Sequence, residues 1–457
     1  MQKSRSIFKL NLIVFLFFVT IDLYAFKDHT LIHYDVLIKP EVVDVDVRVS
    51  NLPKDEVLCF EYTPSSIANI RVKDQYHSDL KVSKDKPNIF CVHKVKGDIF
   101  VSFNSEIKAY KEDLDNTKRL SNVSLENTVI IHGSNLSIVP LFKEDKETEP
   151  SISLTLSTKG LALFMSNLGP QMEYNLKNPK DLYSSLFVAG TINNRHVKIK
   201  RTNYSYSFIG TWTKRLSDQI QNLYKTIVVK QYDLWDFIPI NRMNVLFIKS
   251  KNIKQGHGFQ YNNVIVYMLP ENFDFKDIEF LKLLAHEHFH LWNGNYIKPT
   301  PHLERELLWF QEGVTNYYAL ITLVSAKIIN EKVFLKHISD KYIKYDSSYE
   351  NSDLFIAMAL DLEIMKASSL KLNLDNLMKG LALKKEILSL GYNNQKIKEE
   401  IVTLVNWDVS SFFDKYINQK NKISVDEYFE YLGLRFSKDL NLIKFRETRS
   451  YKKWLSI

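Results

Sequence analysis

The sequence predicts an α+β fold in which a β-sandwich-like N-terminal domain precedes a domain that opens with a small sheet and is otherwise mostly helical. From about residue 27 to 200, short apolar or alternating segments are separated by turn-rich clusters such as "NLPKD" and "KDKPN". Beyond about residue 274, apolar residues recur at helical spacing. A chain of 457 residues is also long enough for two or three domains.

The first 25 residues predict a secretory signal peptide. Lys3, Arg5 and Lys9 precede an apolar run that ends at Ala25. Asp22 interrupts this run, which falls short of the roughly 20 apolar residues that a membrane-spanning helix needs. We therefore expect export, to the periplasm or outside the cell, with cleavage near Ala25. The alternative is an uncleaved N-terminal membrane anchor.

The predicted N-terminal domain covers residues 26–198 and contains several short strands. The strand candidates are the segments 33–40, 43–50, 56–62, 88–95, 98–104, 127–133 and 151–157. The only two cysteines, Cys59 and Cys91, lie in two of these segments. In an oxidising compartment they would form one disulfide, but two buried free thiols are an open alternative.

The second predicted domain covers residues 199–436, and residues 437–457 follow it as a C-terminal tail. Its opening sheet is predicted from the strand candidates 243–250 and 262–269. Helical spacing marks the segments 213–230, 275–292, 304–329 and 355–368. For the helix over 275–292 we expect Asp274 as the N-cap residue and Gly294 just past the C-terminus.

Composition indicates a folded protein without nucleic-acid-binding features. The chain is 45% hydrophobic and 25% charged, and its net charge of +8 comes from scattered lysines. No block of basic residues is interleaved with aromatic residues, so we expect no nucleic-acid partner. A peptide or protein substrate is the expected partner. The sequence leaves the oligomeric state open.

The segment "AHEHFH" carries a candidate metal site. On a helix, His286 and His290 share one face one turn apart, and Glu287 lies beside them. This H-E-x-x-H spacing is typical of zinc held by two imidazoles, with a carboxylate positioned to deprotonate the attacking water. His288 points away from the pair and is not a ligand candidate.

A catalytic zinc site usually takes a third protein ligand and leaves one position for water. Glu312 in "LLWFQEGVTNYY" is the strongest candidate, because a helix–loop–helix would return it to the histidines. Its neighbours are apolar, and a carboxylate buried among them would be costly unless it were paired or metal-bound. Glu304 and Glu306 compete for this role, although they lie close to the predicted turn.

These two segments resemble the glycyl aminopeptidase family of gluzincin zinc metallopeptidases. That family shows H-E-x-F-H-x-W-N followed by L-W-x-x-E-G-x-T-x-Y-Y. Besides the base and the three ligands, the match covers Phe289, Trp292, Asn293, Leu308, Trp309, Gly313, Thr315, Tyr317 and Tyr318. The segments "LDLEIMKASSLKLNLDNLM" and "FFDKYINQKNKISVDEYFEYLGLRF" are similar to later parts of the family's catalytic domain.

The resemblance implies a thermolysin-like catalytic domain that holds one zinc ion through His286, His290 and Glu312, with Glu287 as general base. Family members usually continue into a PDZ domain. About 21 residues follow Phe436, too few for such a domain, so we expect none here.

Two segments depart from the family pattern. The family's G-G-L-E-H stretch, whose acid holds the substrate's free amine, corresponds to "HGFQY", which places Gln260 where the acid should be. His257, Gly258 and Gln260 are therefore the candidate substrate-binding residues. The family's S-Y-Y-x-K-G segment corresponds to "SSYENSD", where Tyr349 is the candidate oxyanion donor and Tyr345 an alternative.

The expected function is peptide-bond hydrolysis by an exported, aminopeptidase-like zinc metallopeptidase. We expect the strand "NNVIVYML" to be the sheet edge on which an extended peptide pairs its backbone. Because Gln260 supplies no counter-charge to an amine, an endopeptidase is one alternative. A zinc-containing peptide-binding pseudoenzyme is a second, and an exported structural protein with a chance motif is a third.

Overall fold

The computed structural model describes residues 30–52, 57–63, 67–109, 122–141, 150–161, 163–169, 171–344 and 349–455, without the side chains of residues 85, 163, 164, 180, 261 and 349–352. The predicted signal peptide lies outside these residues. The chain divides into two compact units, Met1–Ile192 and Asn193–Ile457. Each unit has a hydrophobic core of its own.

The first unit is built from short strands. In chain order they are β1 Leu31–Ile38, β2 Val42–Ser50, β3 Val57–Tyr62, β4 Ile67–Asp74, β5 Val82–Lys86, β6 Ile89–His93, β7 Ile99–Glu106, β8 Lys108–Ala109, β9 Val123–Leu125, β10 Thr128–His132, β11 Ile138–Leu141, β12 Ser151–Thr158, β13 Leu163–Ser166, β14 Glu173–Leu176 and β15 Leu186–Gly190. A 3₁₀ turn, Gly133–Asn135, and a short helix, α1 Pro179–Tyr183, interrupt them. All seven strands that the sequence predicts here are confirmed.

These strands form three sheets, in the orders β14-β12-β1-β2-β7-β4, β13-β15-β10-β9-β8 and β11-β3-β6-β5. Along β1, Tyr34, Val36 and Ile38 are buried while the residues between them are more exposed, because successive side chains of a strand point to opposite faces. Strands β3 and β6 pair Cys59 directly opposite Cys91, and the two cysteines form a disulfide. The structure thus has the disulfide that the sequence left open.

The second unit begins with a five-stranded sheet. Its strands are β16 Asn193–Ile199, β17 Thr202–Ile209, β18 Arg242–Ser250, β19 His257–Tyr261 and β20 Val264–Pro270, in the order β16-β17-β18-β20-β19. Strand β20 was expected to be the free edge, and this expectation is wrong. It lies between β18 and β19. Its first six residues are all buried, without alternation between a buried and an exposed face, as is typical of an interior strand. The edge strand at this end of the sheet is β19.

Helices make up most of the remaining chain. They are α2 Lys214–Trp235, α3 Ile278–Phe289, α4 Leu308–Ser325, α5 Glu331–Ile343, α6 Tyr349–Ala367, α7 Leu374–Leu383, α8 Lys385–Leu390, α9 Asn394–Val405, α10 Ser410–Phe412, α11 Asp426–Leu432 and α12 Arg449–Trp454, with a π-helical turn at Phe413–Asn418. The four predicted helices are confirmed. None of the helices in the described part of the chain is long and apolar enough to cross a membrane.

The N-cap of α3 differs from the prediction. The carboxylate of Asp277 accepts a hydrogen bond from the backbone N–H of Glu279, and the helix begins at Ile278. Asp274 instead accepts from the N–H of Lys276, at 2.9 Å, in the turn before the helix. Aspartate is a favoured N-cap residue at either position, and the path of the preceding turn determines which of the two caps the helix.

The segment after Phe436 contains a short strand and the last helix. Strands β21 Leu434–Phe436 and β22 Leu442–Lys444 pair with each other, and α12 follows. Trp454 of α12 is buried, and its indole N–H donates to the hydroxyl of Tyr317 at 2.7 Å. These residues therefore contribute to the core of the second unit.

Candidate metal centre

Helices α3 and α4 bring the three predicted ligands together. His286 and His290 lie one turn apart at the C-terminal end of α3, and their Nε2 atoms are 3.0 Å from each other. Oε2 of Glu312, from the second turn of α4, lies 3.3 Å from Nε2 of His286 and 3.6 Å from Nε2 of His290. Among the described residues this is the one group of three or more possible ligands close enough to share a metal ion.

The position of Glu312 differs from the burial that its neighbours suggested. Its side chain is 37% exposed, although Phe310 and Val314 beside it are fully buried. The helix thus presents Glu312 to an open cleft and its apolar neighbours to the core. Glu304 and Glu306, the competing ligand candidates, are exposed before α4 begins and do not join the cluster.

The donor set suits a zinc ion, which prefers imidazole nitrogen and carboxylate oxygen ligands. Nδ1 of His290 donates to the backbone carbonyl of Asn293 at 2.9 Å, so the Nε2 lone pair faces the cluster. Nδ1 of His286 is buried and has no hydrogen-bond partner within the described part of the chain. Two imidazole nitrogens and one carboxylate oxygen therefore converge on one point.

Charge reinforces this arrangement. Burial would raise the pKa of Glu312, but the hydrogen bonds to His286 and His290 hold it well below its usual range. Burial would likewise lower the pKa of His290, but the carboxylates of Glu312 and Glu287 outweigh burial and raise it to about 9. Glu312 therefore stays ionised, and a metal ion would displace the proton of His290 when it binds to Nε2.

Asn293 joins the two ligand-bearing helices, a role that the sequence did not reveal. Its side chain is fully buried, and its Nδ2 donates to the carbonyls of Phe310 and Gln311 at 3.0 Å each. It also lies 3.2 Å from the hydroxyl of Thr315. Because its own carbonyl orients His290, Asn293 fixes both that ring and the first turn of α4. The one sequence signal was its place in the family motif.

A close approach of helices holds α4 at its position beside the ligands. Gly313 follows Glu312, and a Cβ built on it would lie 2.5 Å from the backbone oxygen of Asp353 in α6. Any side chain at this position would push the two helices apart. The glycine of the "EG" pair is therefore a packing requirement of the site.

Glu287 lies beside the ligands on α3 and is 7% exposed. No hydrogen bond to its carboxylate comes from any described residue. Gly258 of the edge strand packs directly on it, since a Cβ on Gly258 would lie 2.5 Å from Cγ and 3.0 Å from Oε1 of Glu287. The backbone of β19 thus forms one wall around the candidate base, and only glycine leaves room for it.

The other predicted substrate-binding residues lie on opposite faces of β19. Gln260 is two residues from Gly258 and therefore shares the face that packs against α3. Its Nε2 donates to the carbonyl of Asn262 at 2.9 Å. His257 and Gly258 point to opposite faces by the same alternation, and Nδ1 of His257 bonds to the carbonyl of Gln255. The structure thus brings Gly258 and Gln260, but not the His257 ring, to the metal side.

The candidate oxyanion donor is placed only in part. Tyr349 begins α6, but its side chain lies outside the described residues, as does all of Tyr345. The assignment of Tyr349 stays a prediction.

His288 is a structural residue of the core. It is fully buried, its Nδ1 donates to Oε1 of Gln231 at 2.6 Å, and its Nε2 accepts from the hydroxyl of Tyr204 at 2.9 Å. Nε2 of Gln231 in turn donates to the carbonyl of Ala285. Burial lowers the pKa of His288 to about 3, so the ring is neutral. This network ties α3 to α2 and β17.

Comparison with known proteins agrees with this site. Residues 279–359, which include all three ligands, match the family model described as M61 glycyl aminopeptidase. A comparison with curated proteins found no match.

Several solved structures share the fold. An aminopeptidase N family protein from Idiomarina loihiensis is 18% identical, with a TM-score of 0.77 over 89% of this chain and 79% of that chain. A mutant of an M1 zinc metallopeptidase from Deinococcus radiodurans, bound to Tyr-Ser-Ala, is 10% identical, with a TM-score of 0.53 over 85% of this chain and 94% of that chain. Aminopeptidase A from Legionella pneumophila, in complex with aspartic acid, is 12% identical, with a TM-score of 0.54 over 85% of this chain and 49% of that chain.

These likenesses confirm the predicted α+β fold, with N-terminal sheets and a mostly helical C-terminal part. At such identities they concern the fold alone. The match over residues 279–359 is what connects the sequence to a family. Over that segment, the resemblance to the M61 glycyl aminopeptidases is confirmed.

Proposed function

We propose that this protein hydrolyses peptide bonds as an aminopeptidase-like zinc metallopeptidase. The observation that carries the proposal is the convergence of His286, His290 and Glu312 on one point, with Glu287 beside them, in the segment that matches a peptidase family. His286, His290 and Glu312 would hold the zinc ion. When bound, zinc supplies Lewis-acid chemistry that polarises a carbonyl and lowers the pKa of a water molecule.

Glu287 acts as the general base. It takes a proton from the attacking water and passes it to the leaving amine. Its carboxylate is suited to this work because it lies beside the ligands, is shielded from bulk water, and accepts no hydrogen bond from the described residues that would compete with the attacking water. Gly258 keeps its carboxylate against the wall of the cleft. Tyr349 remains our candidate for the oxyanion donor.

The substrate backbone pairs with edge strand β19. Strand β19 stands at the end of the sheet order, next to β20, so an extended peptide would add to the sheet as its next strand. Gln260 then lies toward the amino-terminal side of the substrate. Its Oε1 can accept a hydrogen bond from a peptide N–H or an ammonium group, but it supplies no counter-charge.

Two alternatives make different predictions. An endopeptidase is favoured by Gln260, since a neutral amide does not require a free amine at that point. A peptide-binding pseudoenzyme would bind zinc and peptide without turnover, and the preserved Glu287 opposes this reading. We also propose that the protein acts outside the cytoplasm, on the strength of its first 25 residues.

Zinc content and turnover of purified protein test the proposal. Protein purified without chelator should contain about one zinc per chain and should cleave peptides from a broad library. Glu287→Gln should retain the zinc and lose activity, because the amide cannot accept the proton. Absence of zinc would refute the proposal and its pseudoenzyme alternative. Zinc without turnover would support the pseudoenzyme. Free and N-acetylated versions of a cleaved peptide separate exopeptidase from endopeptidase activity.

A further inference from the structure

A cavity of about 840 Å³ lies just beyond the C-terminal end of α3, the helix that carries His286 and His290. Leu291, next to the ligand His290, lines the cavity. Asn295 lines it too, and its backbone N–H donates to the carbonyl of His290 at 3.0 Å. Asn262, at the turn after β19, forms a further part of the wall. The cavity therefore begins where the metal helix and the edge strand end.

Gln260 connects this cavity to the cleft. The carbonyl of Asn262 accepts one hydrogen bond from Nε2 of Gln260, at 2.9 Å, and another from Nδ2 of Asn295, at 2.8 Å. At the position where the family has an acid that holds the substrate's amine, this protein therefore has the neutral amide of Gln260. That amide is turned toward the cavity wall. A peptide that follows β19 past Gln260 arrives at the cavity.

The charge of the cavity is positive. Arg201 and Arg242 both line it, and no acidic residue is among its lining residues. Both arginines are exposed, and no described carboxylate lies within salt-bridge distance of either. Asp233 and Asp236, the acids nearest to Arg242 in sequence, lie near Lys200 at 3.7 Å and Lys379 at 4.0 Å. Asp218, the acid nearest to Arg201 in sequence, pairs with Arg195. The guanidinium groups are therefore available to an acidic ligand.

We propose that this cavity binds an acidic side chain of the substrate, Asp or Glu, on the amino-terminal side of the cleaved bond. The inference rests on the proposed peptide hydrolysis in its endopeptidase form, in which the amino-terminal side of the substrate passes Gln260 and continues beyond it. Guanidinium groups bind carboxylates through paired, charge-assisted hydrogen bonds. Phe237 and Tyr296, which also line the cavity and contact each other edge to face, provide an apolar floor for the side chain's methylene groups.

The strand geometry predicts where the acid belongs. Asn262 lies four residues beyond Gly258, the residue that packs on Glu287, which is about 13 Å of extended strand. A peptide paired with β19 covers the same distance with about four residues. The preferred acid should therefore lie three or four residues before the cleaved bond. The protein would then act on chains that extend past Gln260.

The test uses N-acetylated, fluorescence-quenched peptides that carry one Asp at each of five positions before the cleaved bond, with Asn as the matched neutral residue. For wild type we expect KM to be about 2–5-fold lower with Asp than with Asn at the third or fourth position, the effect of exposed charge pairs, with kcat little changed. The Arg201→Gln, Arg242→Gln double variant should lose this preference. Arg215→Gln, an exposed arginine outside the cavity, should keep it.

Binding is measured separately with zinc-loaded Glu287→Gln protein and a fluorescent form of the same peptides. The Asp peptide should bind about 2–5-fold more tightly than the Asn peptide, less so in high salt, and only with both arginines present. Equal KM and equal affinity for the Asp and Asn peptides at every position would overturn the inference. Cleavage confined to the first residue of peptides with a free amino terminus would also overturn it, because such peptides do not extend past Gln260. Arginine-dependent binding without cleavage of any peptide would support the inference and refute the proposed function.

Discussion

The contact between Gly258 and Glu287 makes the position of the proposed base sensitive to a single methyl group. In Gly258→Ala the new Cβ would lie 2.5 Å from Cγ, 2.9 Å from Cδ and 3.0 Å from Oε1 of Glu287. Carbon atoms pack best at about 3.5–4.0 Å, so the strand or the carboxylate must move by about 1 Å. A displacement of that size costs about 100-fold in rate when it misaligns a catalytic group.

We therefore expect Gly258→Ala to lower kcat by about 100-fold while it keeps about one zinc per chain, because the three heavy atoms nearest to the new methyl group all belong to Glu287 and none to a ligand. Overpacking should also cost about 1–3 kcal/mol of the free energy of unfolding. Steady-state kinetics on a cleaved peptide, metal analysis and denaturant unfolding measure the three quantities.

Gly256→Ala is the matched control. It precedes the same strand, and its new Cβ would meet its nearest neighbour, Cδ2 of Leu283, at an ordinary 3.6 Å. We expect kcat within about twofold of wild type, since no group has to move. Wild-type kcat in Gly258→Ala would refute the view that β19 sets the position of Glu287. Loss of zinc in that variant would refute the view that the contact acts on the base alone.

Three further predictions concern the supports of the site and the fold. Asn293→Ala should weaken zinc binding by about 10–100-fold in a chelator competition, because the buried amide would no longer link the segment after α3 to α4. A zinc affinity equal to that of wild type would contradict this role. Burial raises the pKa of Asp361 from 3.8 to about 7, so its contribution to stability is complete below about pH 4 and is lost as pH rises toward 7. Between those values the free energy of unfolding of wild type should fall by up to about 4 kcal/mol relative to Asp361→Asn, and parallel pH profiles would exclude this effect. Replacing Cys59 and Cys91 together by alanine opens a link across 32 residues and should lower the stability of the first unit by about 3–4 kcal/mol in a denaturant titration, whereas an unchanged midpoint would show that the disulfide contributes little.

The sequence by itself determined the features that depend on local geometry. Residues four apart on a helix always share a face, so the pairing of His286 with His290 follows from their spacing once α3 forms. The strands of the first unit follow from alternation and turn residues in the same way. Glu312 needed more than spacing, and the motif around it supplied the rest. Its side chain is also more exposed than its apolar neighbours predict, a difference that depends on how α4 is oriented.

Tertiary structure alone decided which strand lies at the edge of the sheet, because strand pairing depends on contacts that the local sequence does not specify. The apolar sequence of β20 would be the same whether or not β19 paired with it. Tertiary structure also decided the roles of Gly258 and Asn293, since a missing side chain and a buried amide acquire meaning only from the groups packed against them. His288 shows the same limit. Its sequence position excludes it from the metal, but only its buried contacts with Gln231 and Tyr204 give it a function in the fold.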